Sequence, residues 1–485
     1  MSWSPRADMW FEELVRELAS VVSLGPTGFA DPTRNPATRN VEITDVVHDS
    51  RAAAPGAIFC AVPGLTVDGH DFVDAALAQG AEAVLVQHAV QTDRPQILTE
   101  SVRQTMAHAA AIVHGHPSRS LAVFGITGTN GKTTTTQLLH SIVNSAGRRC
   151  AVIGTLGGVH TTPESPDLQR QFRSLVDDGG DVIALEVSSH ALDQGRVDAT
   201  QFAVAAFSNL TPDHLDYHRT MDAYFEAKKQ LFDGRAQAEI INVDDPWGVR
   251  LADERPDAVR VSLDDIRIHH ESLAGTRFTW RNHETWVPLP GRMNVANALM
   301  AAEAARLLGL SETQIVTGLA VAASVPGRMQ TVGATNDERP TVVVDYSHTP
   351  DSIEVALATL RAVAPGARLS IVFGCGGDRD RKKRPLMAAA AEAGADRVYL
   401  TSDNPRSEEP MAIINDAIKG FTAPATVVIE PDRKAAIKRA IIDAAAGDVV
   451  LIAGKGHEKT QTIGTDVLPF DDVHVASDLL EADNT

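Results

Sequence analysis

The stretch that most restricts this chain is "LAVFGITGTNGKTTTTQLLHSIVNSAG", residues 121–147. An apolar, β-branched run feeds a turn of glycine and threonine, and a helix pattern follows at once. Strand, tight turn and helix are the repeating parts of a parallel α/β layer. The turn also carries chemistry. Backbone N–H groups at a helix start make an anion cradle, to which Lys132 adds a point charge and Thr133 a hydroxyl for Mg²⁺. Thr127, Gly128, Thr129, Asn130, Gly131 and Thr134 complete the candidate phosphate site. The strict nucleotide-loop spacing asks for glycine five residues before Gly131, where this chain has Ile126. The bland alternative is a Gly/Thr turn with a surface lysine. Strand, turn, Lys-Thr and helix in the required order favour a nucleoside triphosphate.

At 485 residues the chain exceeds one ordinary hydrophobic core. Its 44 basic and 63 acidic residues leave a net charge of −19, which argues against nucleic acid or an anionic membrane as the main partner. Small anionic substrates must then be met by a few concentrated cations. Cys60, Cys150 and Cys375 show neither even pairing nor metal spacing, as suits a reducing cytoplasm. The start, "MSWSPRADMWFEELVREL", reads as a charged amphipathic helix, and neither a secretory signal nor a membrane span is expected.

The pattern changes character twice, which divides the chain into a small N-terminal α/β domain (1–98), a central domain (99–328) and a C-terminal domain (329–485). In the last, "TVVVDYS", "LSIVFG", "RVYLTS", "ATVVIE" and "DVVLIAG" read as strands separated by helices, a Rossmann-like, doubly wound sheet. Ligands of such sheets bind beyond the carboxyl ends of the strands, where this chain keeps its polar motifs.

In "DVIALEVSSHAL" an apolar strand ends in Glu186, a carboxylate placed to bind a metal bridging triphosphate oxygens. "SNLTPDHLDYHRTMDAYFEAKKQLF" gathers Asp213, His214, Asp216, His218 and Lys228 after another strand. Zinc is one reading of His214 and His218, but no thiolate or third clear ligand accompanies them, and the oxygen-rich company favours Mg²⁺. "VDYSHTPDSIE" ends a strand in Asp345 and offers Tyr346, His348 and Asp351 at a helix start. "GCGGDRDRKKRPLM" carries Arg379, Arg381, Lys382, Lys383 and Arg384 on a glycine turn, which points the basic run into a cleft. Cys375 there is either a nucleophile or a small residue in a tight turn; no base near it in sequence favours the second. "SDNPRSEEP" supplies Asp403, Asn404, Pro405 and Arg406, and "AGKGHEKTQ" supplies Gly454, His457 and Glu458. With Arg379 they present both signs of charge, as a zwitterionic amino acid requires.

Taken in order, "TGTNGKTTT", "EVSSHAL", "NLTPDHLDYH", "AKKQLF", "GRMNVANALMAA", "VDYSHTPDSIE", "GCGGDRDRKKRPLM", "DNPR" and "GKGHE" closely resemble the Mur ligases of peptidoglycan synthesis. The resemblance runs from about Asp49 to the last strand. It implies a central P-loop ATPase-like parallel sheet flanked by the two other domains. It also implies an ATP-dependent amide ligase, with "DNPR" resembling the branch that adds meso-2,6-diaminopimelate to UDP-N-acetylmuramoyl-L-alanyl-D-glutamate through an acyl phosphate. By this resemblance Lys132, Glu186, His214 and Lys228 are the catalytic set. Thr133, Glu186 and His214 hold Mg²⁺, and Lys228 matches the lysine carbamylated in the family to N6-carboxylysine. Asn294, Asn297, Arg328, Asp345 and His348 join the phosphate loop at ATP. Ser50, Thr161, Thr162, Ser188, Gln194 and Arg196 match positions that hold the UDP-muramoyl peptide, and Arg379, Asp403, Asn404, Pro405, Arg406, Gly454 and Glu458 the diaminopimelate site. A cytoplasmic monomer with small-molecule partners follows.

Two departures stand out. Only Val159 and His160 separate "GTLGG" from "TTPE", where relatives carry a longer segment, and "GLTVDGHDF" offers little beyond Thr66 to a uridine. The rival within the superfamily is a folylpolyglutamate synthetase, which gives no reason for "DNPR" beside "GCGGDRD"; the rival of another class is a P-loop regulatory module.

Overall fold

The computed structural model describes residues 9–24, 41–64, 67–158, 160–333 and 339–482. Val159 and Thr66 therefore lie outside the described residues, as do the first eight residues of the stretch read as an N-terminal helix; the helix itself is Phe11–Leu18, with Trp10 at its N-cap. The chain forms two compact units. The first comprises 1–127, 147–206 and 227–239; the second comprises 128–146, 207–226 and 240–485.

In the first unit, β1 (Asp45–Val47), β2 (Ala57–Cys60), β3 (Ala83–Val86) and β4 (Gln96–Leu98) pair in parallel in chain order. Alternation decides the faces. Ile58, Cys60, Ala83 and Leu85 pack on helices Phe11–Leu18 and Val102–Val113, while Phe59, Val84 and Val86 face helix Val73–Gln79. A second parallel layer follows: β5 (Ala122–Thr127), β6 (Cys150–Ile153), β7 (Val182–Glu186), β8 (Phe202–Phe207) and β9 (Ala236–Asn242), ordered β9-β8-β5-β7-β6. Strands β5 and β7 are buried nearly throughout, the near-continuous apolar run of a sheet covered on both faces. Helix Ser165–Asp177 sends Arg170 back to both oxygens of Asp45 at 3.0 Å. Burial would raise the Asp45 pKa, but His114 and Arg170 outweigh it and hold the carboxyl below its usual range.

β9 runs on into the second unit, where it pairs in parallel with β10 (Val259–Val261). There the helix after the phosphate loop, Lys132–Ser145, packs on Arg292–Leu307 and Glu312–Ala320, with Ser141 Oγ donating to Gly318 O at 2.8 Å. An antiparallel sheet of β11 (Arg267–Ser272), β12 (Gly275–Trp280) and β13 (His283–Val287) sits in this unit; its short alternating strands gave too weak a signal in sequence.

The remaining strands are β14 (Gln330–Val332), β15 (Thr341–Asp345), β16 (Leu369–Cys375), β17 (Arg397–Ser402), β18 (Val428–Ile429) and β19 (Val449–Ala453), ordered β14-β15-β19-β16-β17-β18. All pair in parallel except the edge strand β14. Helices cover both faces, as expected. Val343, Ile371, Phe373 and Leu451 meet one helical layer, and Val342, Val344, Val372, Val450 and Ile452 meet the other. "ATVVIE" contributes only the two residues of β18, because a 3₁₀ turn, Pro424–Thr426, occupies its start. The last strand of this sheet in sequence, β19, is inserted between β15 and β16, so the strand order reverses there. A hairpin of β20 (Thr460–Ile463) and β21 (Asp466–Pro469) follows.

Candidate active site

In the first unit Glu186, at the carboxyl end of β7, is 1% exposed. Its carboxylate accepts hydrogen bonds from Thr155 N and Thr155 Oγ1, both at 3.0 Å. The muramoyl-side candidates gather beside it. Thr162 Oγ1 donates to Glu186 O at 2.8 Å and accepts from Ser188 N at 3.0 Å, and Thr161 Oγ1 lies 3.0 Å from Thr155 Oγ1. Arg196 donates to Thr162 O at 2.8 Å and to Gln194 Oε1 at 2.7 Å, and pairs with Glu164 at 3.0 Å. Five of the six muramoyl-side residues thus share one network with Glu186. Ser50 is not part of it; it stands on the Ser50–Ala52 turn after β1. Lys228, at the end of helix Met221–Lys229, is 1% exposed, an extreme position for an ammonium.

In the second unit the phosphate loop explains its odd glycine spacing. Gly131 has φ +88°, and a Cβ there would meet Asn297 Oδ1 at 2.3 Å; Gly128 has φ +149°, and a Cβ would stand 1.8 Å from Ser208 Oγ. Those two positions need glycine, whereas Ile126 is a buried strand residue. Lys132 Nζ donates to the carbonyls of Gly128 at 2.7 Å and Thr129 at 3.0 Å. Asn297 is set by Asn294 Oδ1 at 3.2 Å, and Asn294 by Pro290 O at 2.8 Å, so both candidate asparagines brace the loop.

Three residues quoted in "SNLTPDHLDYH" but given no role do much of the holding. Asn209 Oδ1 accepts from Asn130 N at 2.9 Å, Ser208 Oγ donates to Asn130 O at 2.6 Å, and Thr211 N donates to Thr129 Oγ1 at 3.1 Å. Their signal was a run of small polar residues at a strand end. Tyr224 was also missed. Its hydroxyl is 3.3 Å from Thr129 Oγ1, its ring stacks on His218 at 5.0 Å, and His214 meets it edge-on at 6.2 Å.

His214 adopts φ +53° with Nε2 3.4 Å from Asp213 Oδ2. Burial pushes the Asp213 carboxyl up, but the charges of His214, His348 and Lys383 prevail and leave its pKa lowered. His348 has its pKa lowered by burial. Its Nδ1 contacts Tyr346 O at 2.8 Å, and a carbonyl only accepts, so Nδ1 carries the proton and Nε2 the lone pair. Arg328 reaches Thr133 Oγ1 at 3.3 Å while its guanidinium lies 4.4 Å over the Tyr346 ring. Asp345 spends its carboxylate on backbone, accepting from Met329 N at 2.6 Å and Ser347 N at 3.0 Å, and so shapes the loops that bear Arg328 and His348. Among the described residues no three His, Cys, Asp or Glu side chains converge as a metal site. The oxygen donors of Thr133 and Glu186 are of the hard type that suits Mg²⁺ rather than zinc.

The amino-acid candidates cluster beyond the carboxyl ends of β16, β17 and β19. Asn404 Nδ2 donates to Glu458 Oε2 at 2.8 Å, and Arg406, at φ +51°, donates to Gly377 O at 2.7 Å. Gly377 must be small: a Cβ would lie 1.8 Å from Pro405 O. Gly376 has Arg406 and Arg379 on its open side, 3.2 and 3.5 Å from where a Cβ would be. The carboxylate of Asp403 borders Gly454, which has φ +115°. Arg379 is exposed, and among the described residues no hydrogen bond or ion pair engages it.

Two members of the basic run, Arg381 and Arg384, do not point into a cleft. Arg384 is fully buried and bonds Glu408 at 2.6 Å and Asp416 at 3.1 Å, while Arg381 pairs with Asp416 at 2.7 Å. Two acidic side chains downstream claim these cations, a pairing that spacing along the chain does not reveal. Cys375 is buried 3.8 Å from Met387 Sδ, and burial pushes its thiol up to about 12, so it fills space.

Three family descriptions match: "Mur ligase family, catalytic domain" over 42–122, "Mur ligase middle domain" over 126–305 and "Mur ligase, glutamate ligase domain" over 327–456. The UDP-N-acetylmuramoyl-L-alanyl-D-glutamate–2,6-diaminopimelate ligase of Synechococcus elongatus is 42% identical, covering 94% of this chain and 97% of that protein. A solved structure of a ligase of the same name is 33% identical, with a TM-score of 0.66 over 99% of this chain and 100% of the other. The MurF ligase of Thermotoga maritima in complex with ADP shares the fold at 20% identity and TM-score 0.63, over 90% and 97% of the two chains.

Proposed function

The chain belongs to the Mur ligase family, and from that premise we propose that it joins meso-2,6-diaminopimelate to the D-glutamate of UDP-N-acetylmuramoyl-L-alanyl-D-glutamate at the expense of ATP. The observation that carries the amino-acid assignment is the loop cluster in which Arg379 and Arg406 flank Gly376 while Asp403, Asn404 and Glu458 stand by. Guanidinium groups suit carboxylates and carboxylates suit ammonium groups. Diaminopimelate has two of each, one carboxylate more than lysine.

Lys132 and the backbone of residues 128–134 receive the phosphates of ATP. The side-chain carboxylate of the D-glutamate attacks the γ-phosphorus, giving an acyl phosphate and ADP; the amine of diaminopimelate then attacks the acyl carbon and phosphate leaves. Two anions have to meet, so charge compensation and positioning supply the acceleration. Thr133, Glu186, His214 and, once carbamylated, Lys228 would hold Mg²⁺, which would supply Lewis-acid neutralisation of phosphate charge. Conversion of Lys228 to N6-carboxylysine rests on the resemblance of "AKKQLF" to the family; its burial places it inside the fold rather than in solvent. Thr161, Thr162, Ser188, Gln194 and Arg196 present donors for the muramoyl peptide, with Ser50 toward the uridine. His348 offers its Nε2 lone pair to the adenine nucleotide's surroundings, beside Arg328.

We assign domains at 1–98, 99–328 and 329–485, a monomeric state and a cytoplasmic location. No helix among the described residues is long and apolar enough to cross a membrane. An amino-acid panel tests the function. Phosphate release and product mass should require ATP, UDP-N-acetylmuramoyl-L-alanyl-D-glutamate and meso-diaminopimelate together. Phosphate release without an amino acid, or equal use of lysine, would overturn the reading.

A further inference from the structure

Lys455 stands at the centre of the loop cluster, and no role given so far uses it. It is fully buried just after β19. Its Nζ donates to Asn404 Oδ1 and Glu458 Oε2, each at 3.1 Å, and lies 3.9 Å from Asp403 Oδ1. Asn404 is held at both ends. Its Oδ1 also accepts from Thr462 N at 3.0 Å, and its Nδ2 donates to Glu458 Oε2. An ammonium and a backbone N–H are donors only, so the amide oxygen has to face them, and the amide's orientation is fixed by chemistry. Lys455 Nζ and Asn404 Nδ2 converge on one oxygen of Glu458, Oε2. The other, Oε1, makes no hydrogen bond among the described residues, and the side chain remains 32% exposed.

The charges beneath point the same way. Arg433 is fully buried and matched by Asp472 at 2.7 Å; it donates to Ser402 O at 3.2 Å and Ala453 O at 3.0 Å, the carbonyls just before Asp403 and Gly454. Among the described residues Lys455 is the cation in ion-pair contact with the carboxylates of Asp403 and Glu458, while the charge of Arg433, spent chiefly on Asp472, also reaches them. One further cation completes the set.

We propose that Lys455 is a positioning residue for amino-acid recognition: it fixes the Asn404 amide and turns Glu458 Oε1 toward an ammonium group of the substrate. The inference rests on the assignment of this cluster to diaminopimelate. Lys455→Met keeps the length of the side chain and removes donor and charge. KM for meso-diaminopimelate, ATP and the UDP-muramoyl dipeptide, together with kcat, are measured for this variant and for Lys455→Arg. We expect KM for diaminopimelate to rise about tenfold to a hundredfold in Lys455→Met, the other two KM values to stay within about threefold, and Lys455→Arg to recover part of the loss. A wild type that ligates diaminopimelate while Lys455→Met keeps its KM overturns the inference alone, as does a uniform rise of all three KM values. A wild type that ignores diaminopimelate overturns the substrate assignment as well. Should Lys455→Met not fold, Lys455→Gln, which retains a donor without the charge, is judged by the same KM values.

Discussion

The candidate phosphate loop gathers its polar groups on one short run, residues 128–134, main-chain groups with Lys132 and Thr133 among them, whereas the candidate amino-acid cluster draws side chains from loops after β16, β17 and β19, held by a backbone N–H of the β20–β21 hairpin. Backbone donors need only the right φ angles, and Gly128 and Gly131 supply them. Side-chain donors need a frame. Here the frame consists of buried ions: Arg433 with Asp472 under the strand ends, and Lys455 among Asp403, Asn404 and Glu458. The contrast teaches a division of labour. On the proposed assignment, main-chain N–H groups with Lys132 would receive the phosphates, and the group that distinguishes one amino acid from another would be read by side chains, which can change singly.

If that division holds, variants in the two regions should fail in different ways. The largest loss is expected for Lys132→Ala, which should abolish ATP-dependent ligation, more than about 10³-fold in kcat, because no other ammonium serves the β- and γ-phosphates. Single-turnover assays decide; residual ligation near the wild-type rate would leave the loop merely structural. Lys228→Ala should follow with a loss of about 10²–10³ in kcat and an unchanged thermal midpoint, partly restored by a short carboxylic acid but not by bicarbonate. Near-wild-type turnover would remove Lys228 from the reaction.

On the other side of the comparison, Arg406→Ala should raise KM for meso-diaminopimelate about tenfold to a hundredfold, leave KM for ATP in place, and narrow the preference over lysine. Arg379→Ala sharpens the point. If Arg379 rather than Arg406 receives the far carboxylate, the narrowing appears in that variant instead.

The smallest effect concerns the frame. The guanidinium of Arg384 holds the Glu408 carboxyl at about 2, below its ordinary 4.5. A depressed carboxyl contributes stability that is present above pH 4.5 and lost as pH falls toward 2. The thermal midpoint should therefore decline on acidification through that window. Glu408→Gln, which leaves Arg384 partly unmatched, should start about 2–4 °C lower at pH 7 and decline less steeply. Parallel curves would exclude the pair as a source of acid lability.

Elements and motifs were legible where the determinants are local. Strand, glycine turn and Lys-Thr helix stand next to each other in sequence, and the alternating apolar runs of β15, β16, β17 and β19 show on which side each helical layer packs. The residues assigned to the muramoyl side rest on resemblance; that Thr162 bonds both Glu186 O and Ser188 N is a matter of tertiary geometry. What stayed hidden was the partner of each charge. Arg381 and Arg384 looked available until Glu408 and Asp416 came within bonding distance, and Lys455, passed over within "AGKGHEKTQ", has no signal in sequence for its burial. Composition counts charges; only the fold assigns them. Tyr224 and Asn209 escaped for the same reason, since an aromatic ring or an amide has no spacing rule that ties it to a loop far along the chain.

The insertion of β19 between β15 and β16 carries a consequence for synthesis. A chain emerging from the ribosome would expose the edges of β15 and β16 for the whole time that residues 376–448 are being added, because the strand that bridges them comes last. The two halves of this sheet cannot register against each other until then, and such non-local pairing is slow. The residues just past β19, Gly454 to Glu458, are also the ones that complete the amino-acid cluster. Completion of the sheet and of the loop cluster assigned to the amino acid are thereby a single late event, so on that assignment a truncated or stalled chain would carry the glycine loop of residues 128–134 but neither a closed C-terminal sheet nor the candidate site for its amino acid.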